Sequence, residues 1–478
     1  MSSTYSKLIQ KKPNRILFPK WICLLLLFVF VLVVLVIVEF FTHNNEFEKQ
    51  LPGAFSAAFG WFALLLTFLQ VPLGTRFRPL ERVIGLDHFW LYHRYLPIAI
   101  FLTVGVHAYL KVAAFPFPMS LKDSLYFWFY PNTSNAFFVR VFHGQIALFG
   151  MILLTLITAF RKLPVGIKKR FSYIPYKLWR TLHILFYILI IACLPHVWTS
   201  TRQSVYRSII FSLISCVFFY PLFSRIYHLI SGKSSKKFRV SSVNVFSDRS
   251  TQVLMTPEDL AEISNKPAAF VILSNPTSSY PLPHPLSIAS LPGSYEHELL
   301  ISGNSNIGKQ ARRWQPGQVI KIDGYYGVFG KDLLDKESIV LCAGGCGLAP
   351  ISSLLKYLNH CKSFHKIPIP NVKVLMSFRN VEDVLPIKND LVELRMSGSS
   401  VFCLCFSDPR LQSSDLQSLD QLTVCSSLGR ISRTQLDLIE RNDDVYLCGP
   451  KPLVKSIIKF AKEKGVKSAQ IHFEEFIM

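Results

Sequence analysis

Hydrophobic and polar positions are distributed unevenly along the chain, and this distribution divides it in two. Long apolar runs dominate residues 21–223, whereas residues 232–478 mix apolar and polar positions as globular sequences do. A helix crosses the bilayer core with about 20 apolar residues. Six runs approach that length, and they predict membrane-spanning helices at 21–38, 54–73, 95–114, 141–160, 181–200 and 205–223.

The second half changes its pattern near residue 338. Before it, short alternating apolar runs broken by Pro and Gly, such as AAFVILS and QVIKIDG, predict a small antiparallel β-barrel. After it, SIVLCAGGCGLAP is typical of a strand, a glycine turn and a helix. Strand and helix patterns then alternate, which predicts a parallel sheet that binds ligands near its strand carboxyl ends. The later strands are predicted at 372–378, 401–407 and 444–449.

Composition supports a membrane half joined to a soluble half. Half of the 478 residues are hydrophobic and only 17% are charged, which is too apolar for an ordinary soluble protein. Much of the net charge of +22 comes from Lys and Arg in the N-terminal tail and in the loops after the second and fourth spans. Such residues mark the cytoplasmic side, so both termini and the soluble half are predicted to be cytoplasmic. Elsewhere no basic stripe is interleaved with aromatics, so we expect the lipid bilayer as a partner and no nucleic acid.

The ten cysteines lie in or beside predicted spans or in the soluble half. None lies in a segment predicted to be external, which argues against a disulfide framework and for a soluble half in a reducing compartment. The pairs Cys342–Cys346 and Cys403–Cys405 have no second pair at zinc-site spacing. We therefore interpret them as structural cysteines.

Two predicted spans carry a pair of histidines each. His93 and His107 lie fourteen residues apart in the third span, which places them about 21 Å apart along a helix and about 40° apart around it. They therefore share a face. His183 and His196 lie thirteen residues apart in the fifth span, about 19.5 Å apart in depth but about 140° apart around an ideal helix.

Polar groups at membrane depth indicate function. If both spans start in the cytoplasm and are neighbours, His93 is level with His183, and His107 with His196. A haem iron takes two axial ligands from opposite sides, and two imidazoles that face each other across a gap suit this role. The pattern therefore predicts two stacked haems about 20 Å apart. For His196 this requires a local change of direction, which Pro195 allows because it removes a backbone hydrogen bond.

Two other histidines, His88 and His143, lie at or near predicted spans. His88 precedes the third span and is interpreted as an ordinary loop residue. His143 opens the fourth span on the outer side and is a candidate neighbour of the outer haem or of the acceptor. Neither has a partner at matching spacing and depth.

The strongest motif of the soluble half is GGCGLAP, directly after the strand pattern SIVLCA. Glycines between a strand and a helix let the backbone approach a pyrophosphate, and the helix N-terminus then faces the anion. The candidate dinucleotide-binding residues are Gly344, Gly345, Gly347 and Pro350.

Two further motifs are weaker when taken alone. HPLSIAS has prolines that hold the backbone extended and hydroxyls that can bond a planar ring edge, but it is also typical of a turn into a strand. Cys448 and Gly449 of CGP follow the strand DVYL, and a buried cysteine at a strand end is common. The candidate residues of HPLSIAS are His284, Pro285, Leu286, Ser287 and Ser290.

Taken together, these residues make the sequence similar to the ferric reductase and NADPH oxidase superfamily of transmembrane flavocytochromes b, from about residue 50 onwards. The resemblance implies two b-type haems held by the four histidines. It also implies a ferredoxin–NADP reductase-like module in which HPLSIAS receives FAD and GGCGLAP binds NADPH or NADH. Cys448 would then lie near the reactive nicotinamide, and Phe476 of the EEF sequence would shield the flavin.

The resemblance also implies the domain order. We expect a multi-pass α-helical membrane bundle of six helices, then an FAD-binding antiparallel β-barrel, then an α/β parallel-sheet NAD(P)-binding domain. The expected segments are a cytoplasmic tail at 1–20, the haem-binding bundle at 21–224, the barrel at 235–335 and the NAD(P)H-binding domain at 336–478.

Three positions bear on the resemblance in detail. Tyr325 in GYYGVFG replaces the proline of the family's GPYGxFG, and Gln310 stands where the family has Thr or Ser near the flavin pyrophosphate. Arg379 follows the second parallel strand, where it can meet a 2′-phosphate, which favours NADPH weakly.

The expected function is electron transfer from cytoplasmic NAD(P)H through FAD and two haems to an external acceptor. A ferric or cupric ion or chelate is the main expectation, which makes the chain a metalloreductase of the plasma membrane or a bacterial inner membrane. The alternative is an oxidase that makes superoxide from dioxygen. A non-catalytic haem-binding subunit belongs to a different class, and the two retained nucleotide motifs argue against it. The oligomeric state stays open.

Overall fold

The structure is a computed structural model, and it describes most of the chain after residue 46. The predicted span at 21–38 and Phe476 lie outside the described residues. The chain divides into two compact units, Met1–Thr75 with Tyr92–Leu222 and Arg76–Leu91 with Phe223–Met478. The described residues are 47–77, 79–80, 86–113, 136–160, 176–201, 205–230, 236–259, 266–274, 284–396, 400–412, 414–416 and 425–474.

Five long helices are described before the first strand. Three contain segments long and apolar enough to cross a membrane, at Pro52–Gly74, Leu178–Trp198 and Ser208–His228, and a shorter apolar helical segment lies at Phe142–Thr158. Six spans are therefore not confirmed over the described part of the chain. The helices are α1 (Phe47–Gly74), α2 (Leu86–Ala113), α3 (Ala136–Phe160), α4 (Tyr176–Thr201) and α5 (Val205–Ile230).

Helix α1 is the most enclosed of these helices. Its Ala58, Leu66 and Phe68 are fully buried, and its apolar face packs against residues of α2, α4 and α5, such as Ile100 and Phe218. The other helices expose large apolar side chains, among them Leu102, Tyr109, Leu153, Ile188 and Leu213. Exposed apolar surface of this kind is stable only against lipid or a partner.

The second unit begins with an antiparallel sheet in the strand order β4-β3-β6-β1-β2-β5. Buried and exposed positions alternate along β2 and β6, as expected where one face of a sheet covers a core. The sequence predicts a small antiparallel β-barrel here, and the structure has an antiparallel sheet that forms a half-barrel. Its elements are β1 (Lys236–Val245), β2 (Ser250–Pro257), β3 (Phe270–Ser274), β4 (His284–Ser287), β5 (His297–Ser302), α6 (Asn306–Ala311) and β6 (Val319–Tyr326).

A parallel sheet follows in the order β10-β9-β8-β7-β11-β12, which confirms the predicted α/β arrangement. Its central strands are buried along nearly their whole length, because helices cover both faces of such sheets. The elements are β7 (Ser338–Gly344), α7 (Leu348–Ser363), β8 (Asn371–Phe378), α8 (Lys388–Met396), β9 (Ser400–Phe406), β10 (Cys425–Leu428), α9 (Arg433–Leu436), β11 (Asp444–Cys448), α10 (Lys451–Glu463) and β12 (Ile471–Glu474).

The strand order reverses at β7. From β7 the chain moves outward through β8, β9 and β10 on one side, and then returns to add β11 and β12 on the other side. Where the connections from two adjacent parallel strands lead to opposite sides, a crevice opens at the carboxyl ends of these strands. Ligands of doubly wound sheets bind in that crevice. The ends of β7 and β11 carry GGCGLAP and CGP, so the topology brings these two motifs together.

The opposite, amino-terminal edge of the parallel sheet is held by a buried ion pair. Lys373 Nζ lies 3.0 Å from Asp443 Oδ2, and the Ser338 hydroxyl donates to Asp443 over 2.6 Å. The Asp443 carboxylate also accepts from the Glu440 amide at 2.8 Å. These contacts join the starts of β7, β8 and β11 and lie away from the crevice.

Candidate functional site

The four histidines of the membrane half come together as two pairs. His93 and His107 lie on α2, and His183 and His196 lie on α4. The ring centroids are 5.9 Å apart for His93 and His183, and 6.2 Å apart for His107 and His196. Helix α4 continues through Pro195 to Thr201. The pairing at both levels is the arrangement that the sequence predicts.

The spacing within each pair fits a metal ion between the rings. An imidazole nitrogen binds a metal at about 2 Å, so two imidazoles on opposite sides of one iron have ring centres roughly 6 Å apart. Both pairs have this separation, and neither pair is in ring-to-ring stacking contact, since the rings are inclined at 64° and 82°. The donor set therefore suits bis-imidazole haem ligation.

The pair His107 and His196 is enclosed by backbone. His107 Nδ1 lies 2.6 Å from the Ser56 carbonyl oxygen, and the Ser56 hydroxyl donates to the His107 carbonyl over 2.9 Å. A carbonyl oxygen can only accept, so the proton of His107 is on Nδ1 and Nε2 is left as the metal-binding nitrogen. Glycines lie against both rings, Gly60 against His107 and Gly144 against His196.

The pair His93 and His183 has different neighbours. Trp179 stacks on His183 with centroids 5.1 Å apart, and Phe186 meets the same ring edge-on at 5.1 Å. Gln70 Nε2 donates to the His93 carbonyl over 3.4 Å. Aromatic side chains thus cover the His183 ring, while Gly74 of α1 lies against the His93 ring.

Of the other two histidines, only His143 has a described side chain. It lies on α3 beside Gly144 and is half-buried, with its ring 6.3 Å from that of Phe142. His88 lies within α2, one turn before His93, and not in a loop as predicted. Among the described residues, no contact joins His143 to the pair His107 and His196.

In the second unit, HPLSIAS forms strand β4 and the turn that follows it. Ser287 pairs with Phe270 of β3, and the Ser287 hydroxyl is buried and makes no hydrogen bond to the residues that the structure describes. A buried hydroxyl without a protein partner suits a hydrogen bond to a polar atom of a bound ligand. Burial lowers the pKa of His284, so its imidazole is neutral at pH 7. The carbonyl of Ser290 accepts from Ser353 of α7 at 2.9 Å, which ties this turn to the parallel-sheet domain.

GGCGLAP joins β7 to α7 by a tight turn. Gly345 has a φ of 55°, a conformation that favours glycine. A Cβ added to Gly347 would lie 1.9 Å from the carbonyl oxygen of Cys448, so GGCGLAP and CGP are in backbone contact. Pro350 lies in the first turn of α7, and the N-terminus of α7 points to the end of β7, where it favours an anion.

Cys448 ends β11 beside Ala343 of β7 and Glu474 of β12. Its side chain is buried, and its Sγ lies 3.8 Å from the Glu474 carbonyl oxygen. Burial raises the pKa of the Cys448 thiol well above its ordinary value, and the nearby Glu474 carboxylate adds to this. The group is therefore a neutral thiol at physiological pH, while Gly449 continues the turn to Pro450.

Arg379 follows β8 as predicted, and it has an arginine neighbour that the sequence analysis missed. Arg379 Nε lies 3.5 Å from Asp408 Oδ2, and Arg410 binds the same carboxylate through Nε and Nη2 at 3.0 and 2.9 Å. Hydrogen bonds from Arg410 hold the pKa of Asp408 well below its ordinary value. Asp408 and Arg410 follow β9 in the sequence SDPR, directly after the strand predicted at 401–407, so their position at the carboxyl end of a parallel strand is the signal that could have found them.

Of the two positions that differ from the family pattern, Tyr325 makes contacts inside the barrel and Gln310 lies in a short helix. Tyr325 Oη lies 2.6 Å from Nε2 of the buried His297, and the Lys236 ammonium lies 5.0 Å from the tyrosine ring. Gln310 lies in the short helix α6, where the Ser305 hydroxyl accepts from the Gly308 amide. Tyr325 therefore packs into the barrel core.

Comparisons with known proteins fit this arrangement. Residues 59–194, which include His93, His107 and His183 and end two residues before His196, match the family described as "Ferric reductase like transmembrane component". "Probable ferric reduction oxidase 1" of Arabidopsis thaliana is 31% identical over 93 residues, 20% of this chain and 13% of that protein. "Sulfhydrogenase 2 subunit gamma" of Pyrococcus furiosus is 24% identical over 192 residues, 39% of this chain and 65% of that protein.

A solved structure resembles the second half of the chain. The flavohem-like FAD/NAD binding domain of nitric oxide dioxygenase from Vibrio cholerae covers 50% of this chain and 98% of its own, with 18% identity and a TM-score of 0.42. The chain spans less than two thirds of the length of either curated relative. It combines a ferric-reductase-like membrane component with a reductase-like module.

Proposed function

From the architecture of the ferric reductase and NADPH oxidase superfamily, which this chain has, we propose that it transfers electrons across a membrane. The donor is NAD(P)H on the cytoplasmic side, the carriers are FAD and two b-type haems, and the acceptor is an external ferric or cupric ion or chelate. The observation that carries this proposal is the pairing of histidines at two levels of α2 and α4. The membrane is the plasma membrane or a bacterial inner membrane.

The histidine pairs supply the transmembrane part of the route. His93 and His183 hold the inner haem, and His107 and His196 hold the outer haem. A bis-imidazole haem supplies one-electron chemistry without exchange of ligands. The fourteen-residue spacing along α2 separates the two levels by about 21 Å, most of the thickness of a bilayer core. Transfer between them therefore moves an electron across the membrane.

The crevice at the carboxyl ends of β7 and β11 supplies the donor site. The backbone of Gly344, Gly345 and Gly347 would hold the pyrophosphate of the dinucleotide, and the Cys448 thiol would orient its nicotinamide. Arg379 would bind the 2′-phosphate of NADPH. A flavin is required because a hydride carries two electrons and a haem accepts one.

On the flavin side, β4 and the turn after it form the binding surface. The buried Ser287 hydroxyl is available to a ring edge, and the neutral His284 lies on the same strand. The contact from Ser353 to Ser290 holds this turn against α7, which begins at the dinucleotide site. The proposed donor and flavin sites are thus in contact within the second unit.

An anaerobic reduction experiment tests the proposal. Full-length protein in detergent, supplied with FAD, is mixed with NADPH or NADH while haem b absorbance is recorded, and ferric citrate or air is then admitted. Haem reduction followed by fast reoxidation with ferric citrate, and slow reoxidation in air without superoxide, supports a metalloreductase. Fast reoxidation in air with superoxide would make the chain an oxidase instead.

Two controls make the result specific. Dithionite reduction shows how much haem is present, so haem that dithionite reduces but NAD(P)H does not would indicate a haem-binding subunit without reductase activity. His107→Leu should leave flavin reduction intact and abolish reduction of the external acceptor. Unchanged external activity in this variant would contradict the assignment of the outer haem.

A further inference from the structure

Helix α1 carries two polar–glycine pairs whose spacing matches that of the histidines on α2. Ser56 and Gly60 lie beside His107, and Gln70 and Gly74 lie beside His93. The two pairs are fourteen residues apart, like the two histidines, and run in the opposite order along the chain. Helix α1 therefore presents one local arrangement twice, once at each level of the histidine pairs.

The two copies differ in how closely the glycine approaches the histidine. A Cβ built on Gly60 would lie 2.8 Å from His107 Nδ1, which is too short for a carbon–nitrogen contact. A Cβ built on Gly74 would lie 3.4 Å from His93 Cε1, which is van der Waals contact. Only the outer histidine therefore requires glycine on α1.

The reason for the close approach is the hydrogen bond of His107. In α1 the Ser56 carbonyl already accepts from the amide of residue 60, four positions on. His107 Nδ1 lies 2.6 Å from the same oxygen. The His107 ring therefore occupies the space that a side chain of residue 60 would fill. The Ser56 hydroxyl, bound to the His107 carbonyl at 2.9 Å, holds the two backbones at this separation.

From this geometry we infer that Ser56 and Gly60 are positioning residues that set the redox potential of the outer haem. The inference rests on the haem ligation proposed above. An Nδ1–H donated to a carbonyl makes the opposite nitrogen a stronger donor, fixes the ring orientation and stabilises the oxidised metal. The outer haem potential is therefore held lower than it would be without this hydrogen bond, and the inner haem is tuned by other contacts.

Gly60→Ala tests the inference, because its methyl group pushes the His107 ring away from the Ser56 carbonyl. We expect the variant to keep two haems. At a fixed potential, the oxidised-to-reduced ratio of the outer haem should shift about tenfold towards the reduced form, which corresponds to a rise of about 59 mV in its one-electron redox potential. The low-spin ferric EPR signal of that haem should change as well. The outer haem is identified as the one that His107→Leu lacks.

Matched glycine controls are available in the same helices. A Cβ at Gly105, on α2 two residues from His107, would meet nothing within 4 Å. Gly105→Ala and Gly74→Ala should therefore leave both potentials and both EPR signals as in the wild type. Ser56→Ala removes only the hydroxyl bond, and we expect a smaller shift in the same direction as for Gly60→Ala.

The outcomes separate this inference from the proposed function. A wild-type protein without haem, measured as the pyridine haemochrome, would refute both. Haem-replete Gly60→Ala and Ser56→Ala proteins with the wild-type outer potential would refute the positioning role alone. If Gly60→Ala loses the outer haem, Ser56→Ala decides: a shifted outer potential supports the inference, and an unshifted one overturns it.

Discussion

Tyr325 Oη lies 2.6 Å from Nε2 of His297 inside the barrel. Tyr325 stands where the resembling family has proline, so this hydrogen bond has no counterpart in the family pattern. Burial lowers the pKa of His297 to about 4, and the charge of Lys236 adds to the effect. His297 is therefore neutral at pH 7, with Nε2 free to accept from the tyrosine hydroxyl.

This relationship predicts acid-sensitive stability. The pKa of His297 is lower in the folded state than in the unfolded state, so its contribution to stability is present above about pH 6.5 and is lost as the pH falls towards 4. The loss over that interval is about 3 kcal/mol. His297→Gln keeps an acceptor for Tyr325 and does not titrate, so its stability should fall less. The urea midpoint of unfolding of the wild type and of His297→Gln is measured at pH 7 and 4.5, with protease resistance of the barrel as the signal. Equal decreases of the midpoint in both proteins would contradict the prediction.

The buried ion pair at the opposite edge of the parallel sheet predicts a large loss of stability. Asp443→Ala leaves Lys373 buried with only the exposed Glu440 carboxylate beside it, at a cost of about 3 kcal/mol. Adding Lys373→Met removes the buried charge and should restore part of the loss. Urea unfolding of the three proteins measures this. A double variant no more stable than Asp443→Ala would show that the uncompensated charge is not the cause.

The two arginines around Asp408 predict coenzyme preference. Arg379→Ala and Arg410→Ala should each raise KM for NADPH by about tenfold or more, because a charge-assisted hydrogen bond to a phosphate is lost. KM for NADH should change little. Arg433→Ala, which removes an exposed arginine paired with Glu463, is the control. Equal effects on both coenzymes would mean that these arginines do not bind a 2′-phosphate.

The buried Cys448 thiol predicts a rate effect that does not depend on its ionisation. Cys448→Ala should slow flavin reduction by NAD(P)H about tenfold while leaving dinucleotide affinity nearly unchanged, since the side chain orients the nicotinamide. Because the pKa of the thiol is raised well above its ordinary value, the wild-type rate should show no thiolate-dependent change between pH 7 and 9. Stopped-flow flavin absorbance at both pH values tests each statement. A wild-type rate that follows a titration in this range, absent in Cys448→Ala, would argue for a thiolate.

The two histidine pairs predict different defects for the same substitution. His93→Leu should remove the inner haem and stop electron transfer directly after the flavin. His107→Leu should remove the outer haem and leave the inner haem reducible by NAD(P)H. Haem content per flavin and anaerobic haem spectra distinguish the two variants. Loss of both haems in each variant, or of neither, would count against independent sites at two levels.

Much of this architecture can be predicted from local pattern. The parallel sheet was predicted at 372–378, 401–407 and 444–449, and strands β8, β9 and β11 lie at these positions. The shared face of His93 and His107 follows from helical periodicity alone. Such features depend on residues close together in the chain, so a short window of sequence contains the information.

The tertiary structure decided which elements meet. An ideal helix places His196 about 140° from His183, yet both rings face partners on α2. Gly60 lies against His107, which is 47 positions away in the chain, and Tyr325 is hydrogen-bonded to His297, which is 28 positions away. Local sequence pattern is enough to predict most of the described helices and strands and to name candidate residues for binding metal or nucleotide. Only packing determined which backbone lies behind each ligand, because that depends on the distances between elements remote in the chain.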